Sequence, residues 1–106
     1  MSDDLRRRFE LEMRTIYRRA RIEAGYNATR YLQMLDEHGG LDTARILLNS
    51  PKVSDGYTAL WERGRLDLTV EALINDNPEF QVLFTAEELK IVRKRLVEYQ
   101  YKPIKP

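Results

Sequence analysis

Apolar residues recur along this chain at helical rather than strand spacing. Across residues 3–24, Leu5, Phe9, Met13, Ile16, Tyr17, Ala20 and Ala24 fall within an arc of about 120° on a helical wheel, which predicts a long helix with one core face. Asp3 and Asp4 sit near its start, where carboxylates complement the helix dipole. Arg7, Arg14, Arg18 and Arg21 occupy the opposite arc. Leu11 and Ile22 lie on that same outer side, unexplained by the core stripe.

Gly25 closes this first segment, and Asn27 is placed to cap a second, ATRYLQMLDEH, with Tyr31, Leu32 and Leu35 on its core face. Gly39-Gly40 stops it and hinges into LDTARILLN, where Leu41, Ala44, Leu47 and Leu48 face inward. Asn49-Ser50-Pro51 breaks the pattern. Ser54 is expected to cap a helix with Tyr57, Leu60 and Trp61 at helical spacing. Gly64 then turns the chain, and Asp67 is expected to cap a further segment with Leu66, Val70 and Leu73 on one stripe. Asn77-Pro78 opens a short turn in which Phe80, Val82, Leu83 and Phe84 supply bulk. Thr85-Ala86-Glu87-Glu88 reads as a capping box. The helix it opens puts Leu89, Val92, Leu96 and Tyr99 on one face and Lys90, Arg93, Lys94 and Arg95 around the rest.

No segment alternates with period two, so a sheet is not expected. The elements add up to an all-α protein, a compact orthogonal bundle of six or seven short helices with the longest at the N- and C-termini. Trp61 and Leu60 are expected in its core and the two terminal helices packed together. Residues 1–101 form a single helical domain on this reading and 102–106 a flexible tail.

Composition narrows the function. At 106 residues, 42% hydrophobic and 33% charged, the chain suits one globular domain. It contains no Cys, which removes disulfides and thiolate metal sites. With no apolar run near membrane-spanning length and no signal-type N-terminus, the expected setting is cytoplasmic. The net charge of +1 hides an asymmetry: residues 1–30 hold eight Arg against five acids, residues 90–106 six Lys or Arg against one acid, and residues 31–89 four basic residues against eleven acids. Side-by-side terminal helices would give the bundle a basic flank.

Chemistry is scarce. His38 is the only histidine and stands at a helix end beside Gly39-Gly40, a place for a surface cation rather than a catalytic base. Adjacent carboxylates such as Asp36 and Glu37, or Glu87 and Glu88, point about 100° apart on a helix and make no acid–base dyad. Asp55, Glu62, Asp67 and Glu71 are expected to gather near Arg63 and Arg65 as a structural charge network. No catalytic, cofactor-binding or metal-binding set emerges. A helix-turn-helix reading of residues 54–76 fails on charge, since the recognition segment carries Asp67, Glu71 and Asp76 and no cation.

The runs YLQMLDEHGGLDTARILL, SDGYTALWERGRLDLTVEALI and LFTAEELKIVRKRL together resemble a family of small, uncharacterised bacterial helical proteins over about residues 14–101. That resemblance implies a helical module, with no catalytic residues to carry over.

The expected function is therefore a non-enzymatic interaction module. It binds a protein partner or a second copy through Arg7, Leu11, Arg14, Arg18, Arg21 and Ile22. The alternative is an accessory nucleic-acid binder whose phosphate contacts are Lys90, Arg93, Lys94 and Arg95 together with the first helix. Neither terminal helix interleaves exposed aromatics for base stacking, and a merely solvated basic face accounts for the same residues.

Overall fold

The structure, a computed structural model, describes residues 2–103. Five α-helices follow one another: α1 (Ser2–Glu23), α2 (Thr29–Leu48), α3 (Asp55–Glu62), α4 (Val70–Asp76) and α5 (Ala86–Glu98). Two 3-10 segments, Leu66–Leu68 and Pro78–Leu83, connect them, and there is no strand among the described residues. Lys102 and Pro103 belong to no element, and the rest of the expected tail, residues 104–106, lies outside the described residues.

Local chemistry accounts for the boundaries. The hydroxyls of Ser54, Thr69 and Thr85 each accept from a backbone N–H three residues on, capping α3, α4 and α5. At Thr85 the box is reciprocal, because Glu88 also accepts from the Thr85 N–H at 2.9 Å. Asp67 does not cap α4 as expected. It lies in the first 3-10 segment and accepts from Arg65 at 3.0 Å, leaving Thr69 to cap. Leu66 and Leu68 are buried there, and that burial fixes the register.

Within the span of α2, Gly39-Gly40 interrupts the helix and hinges it into a second helical segment, as expected. Gly39 takes φ +81°, open to glycine and costly for other residues. Gly40 is needed for a different reason: a Cβ there would stand 3.1 Å from the Glu10 Cα and 3.0 Å from its carboxylate. The Gly40 N–H donates to that carboxylate, so α1 supplies the cap that α2 needs past its bend.

The principal packing is of α1 against α2 and of α5 against α4. The terminal helices do not form a principal contact with each other, contrary to expectation. Phe9 packs edge-on against Phe80 and Phe84 at 5.2 and 5.6 Å, with Met13, Leu35, Leu48, Ile74 and Val92 filling the same core. The predicted inward faces of α1 and α5 are the buried ones.

Trp61 is not in the core. It is 47% exposed and leans edge-on against Tyr99 at 5.3 Å. The buried direction of α3 bisects Tyr57 and Leu60, and Trp61 stands about 70° from it. Of the residues expected to supply bulk in the Pro78–Leu83 turn and at Phe84, Phe80 and Phe84 are buried and Val82 lies at the surface.

Candidate functional site

The expected basic flank divides into free and occupied cations. Lys90, Arg93 and Lys94 are exposed on α5 and form no ion pair among the described residues. Arg95 is buried and cannot meet a phosphate. Its Nη1 donates to Glu71 at 2.9 Å and to the Leu47 carbonyl at 3.1 Å, and its Nη2 to the Ser50 carbonyl at 2.7 Å. Arg95 falls about 40° from Tyr99 and about 60° from Val92 on the α5 wheel, at the edge of the buried arc. The guanidinium thus joins α5 to α4, to the end of α2 and to the segment after it. Burial pushes the Glu71 carboxyl up from its ordinary range, and Arg95 opposes that push.

On α1, Arg7, Arg18 and Arg21 are exposed, but Arg14 is used by the fold. It donates to Glu10 at 2.9 Å and to Asp36 of α2 at 3.2 Å, so it belongs to the α1–α2 contact and not to an outer face. The acids expected to gather near Arg63 and Arg65 do not converge. Arg65 pairs with Asp67 and Glu23, Glu71 lies apart with Arg95, and Arg63 packs over Tyr26 at 5.2 Å. Two guanidiniums, Arg19 and Arg65, hold the Glu23 carboxyl down at about 2. His38 is exposed beside Glu37, as a surface residue should be.

Two surface features remain as sites. The first is a shallow concavity between the N-terminal half of α1 and the Pro78–Leu83 turn, lined by Leu5, Leu11, Val82 and Leu83 among four cations, Arg6, Arg7, Arg8 and Arg45, and two acids, Asp4 and Glu79. Leu11 is 58% exposed and Val82 77%. Arg8 is held by Glu79 at 3.1 Å and Arg45 lies 3.7 Å from Glu88, whereas Arg6 and Arg7 have no ion pair among the described residues. Ile22, 75% exposed, lies on the same side of α1 but eleven residues on, about 16 Å along the axis, and forms no single patch with Leu11.

The second is a half-open cleft of about 510 Å³ between the C-terminal half of α1, α2, α3 and the start of α4. Its walls are mainly aliphatic and aromatic, among them Ile16, Met34, Leu47 and Leu60. Sequence reading missed it, because its walls come from segments far apart in the chain and no motif marks them.

Among the described residues no cluster of His, Cys, Asp or Glu is arranged to hold a metal ion, and no helix is long and apolar enough to cross a membrane. Comparison with protein-family models, curated proteins and solved structures finds no match for the chain.

Proposed function

We propose that the protein is a non-enzymatic interaction module of a bacterial cytoplasm, docking an acidic, amphipathic segment of a partner protein. The docking surface is the concavity of α1 and the Pro78–Leu83 turn. The observation that carries this reading is the exposure of Leu11 and Val82 together, from two different elements, beside the free cations Arg6 and Arg7. Apolar side chains left in water next to unpaired guanidiniums match a partner that offers apolar anchors and carboxylates. The nucleic-acid alternative has less support, since Arg95 is buried and the two basic helices are not packed side by side.

Selection from a displayed peptide library tests the reading. Enriched peptides are expected to combine Leu or Phe with Asp or Glu, to bind more weakly as salt rises, and to lose affinity for Leu11→Asp and Val82→Asp. Selected peptides that bind both variants as well as the parent would sink it. A concentration-dependent mass abolished by Leu11→Asp would replace the partner with a second copy of this chain. DNA or RNA binding that falls steeply between about 50 and 200 mM salt and needs Lys90, Arg93 and Lys94 would move the function to nucleic acid.

A further inference from the structure

The half-open cleft has walls and mouth of different chemistry. Inside, three of the polar side chains are already bonded within the protein. The Tyr31 hydroxyl donates to the Met13 carbonyl at 2.8 Å, the Thr69 hydroxyl to the Leu66 carbonyl at 2.7 Å, and Glu71 is paired with Arg95. A ligand body entering there meets mainly apolar surface with few free polar groups, so a hydrocarbon or aromatic body fits better than a sugar or nucleobase. The volume lies within the usual range of small-molecule sites, roughly 300–1,000 Å³.

The mouth is charged. Arg30, Lys52 and Asp55 stand on it, all exposed, and none forms an ion pair among the described residues. Two cations against one acid favour an anion. The opening of α2 adds to that bias: the helix starts at the cleft with no side-chain cap and no acid in its first turn, unlike α3 and α5. We propose that this cleft binds an amphiphilic carboxylate, its apolar body against the cleft walls and its carboxylate between Arg30 and Lys52. The site shares no residue with the docking surface on α1, so it stands whether or not that reading holds.

Titration of the ¹⁵N-labelled protein with dodecanoate, kept below its micelle concentration, tests this by amide shifts. Saturable shifts at Ala28, Met34 and Val53 are expected, with a Kd at or below about 100 µM and much weaker binding of dodecyltrimethylammonium. Arg30→Glu combined with Lys52→Glu, two exposed replacements, should weaken dodecanoate by about tenfold or more. Met34→Trp should fill the cleft and abolish binding, while Leu11→Asp should leave it unchanged. No saturable shift up to about 1 mM would overturn the proposal. So would equal affinity for the cationic amphiphile, or an affinity that the double charge reversal does not change.

Discussion

Replacing Arg95 by Met keeps the aliphatic stem and removes the guanidinium. Four acceptors then lose their donor: the Glu71 carboxylate and the carbonyls of Leu47, Ser50 and Lys52. The carbonyls lie near the surface and can turn to water. Glu71 cannot, because both side chains of the pair are over nine-tenths buried. Removing one partner of a buried pair typically costs about 3–5 kcal/mol, most of it the penalty of the stranded charge. Against a total stability of about 5–15 kcal/mol, that is a large share. With a urea slope near 2 kcal/mol per M, the unfolding midpoint followed by circular dichroism should drop by roughly 1.5–2.5 M.

The pH dependence supplies a second signature. The folded-state carboxyl of Glu71 is already raised by burial, and without Arg95 only its backbone hydrogen bond opposes that push, so it rises further. A raised folded value means the native state binds the proton more tightly than the unfolded chain does. The associated stability is present below the unfolded value near 4.3 and is lost as pH rises through the folded value. The deficit of Arg95→Met should therefore widen as pH rises above the unfolded carboxyl value. Adding Glu71→Leu should recover part of the loss, since an apolar pair needs no compensation. A midpoint for Arg95→Met within experimental error of the parent, with no such pH trend, would refute the reasoning and return Arg95 to the surface.

Three further outcomes are expected. Gly40→Ala, whose Cβ would press on the Glu10 backbone, should cost about 1–3 kcal/mol in the same urea assay by forcing α1 and α2 apart. Trp61→Ala should cost only about 1–1.5 kcal/mol, because half the indole is already in water and its edge contact with Tyr99 is what it loses; emission near that of a solvated indole is the companion observation. A carboxyl NMR titration should place Glu23 at about 2, so that what it contributes is present above its ordinary value and lost as pH falls towards 2. Arg19→Gln or Arg65→Gln should move that midpoint upward.

Much of the fold was legible in the periodicity. The α1 stripe, the capping box at Thr85 and the Gly39-Gly40 bend each rest on local chemistry that a few neighbouring residues determine, and each is found where expected. The misplaced residues share a different property. Trp61 and Arg95 sit at the margins of their helical faces, where the wheel permits either side, and Val82 lies in a short turn with no periodic face; in each case distant packing decides. Arg95 goes inward because Glu71 lies in α4, whose residues Val70–Ile74 are buried all round and whose one buried acid demands a cation. Trp61 goes outward because Leu60 takes the neighbouring place against Ala20 and Leu68. Of the candidate site, Leu11 was visible as an apolar residue on the wrong arc. Its companion Val82 and the cleft were not, since both depend on which segments meet.

The guanidinium that joins α5 to α4 also sets a timetable. Glu71 leaves the ribosome 24 residues before Arg95, which at about 5–20 residues per second is roughly 1–5 s. Throughout that interval the α4 carboxylate lacks its cation, so closing the core around Ile74 and Phe80 costs more than it does once Arg95 is present. The N-terminal hairpin of α1 and α2 can form early, held by Glu10 and Arg14. Closure of the rest is favoured only once α5 is made, and a nascent chain halted between residues 71 and 95 leaves the apolar surface that α5 covers exposed.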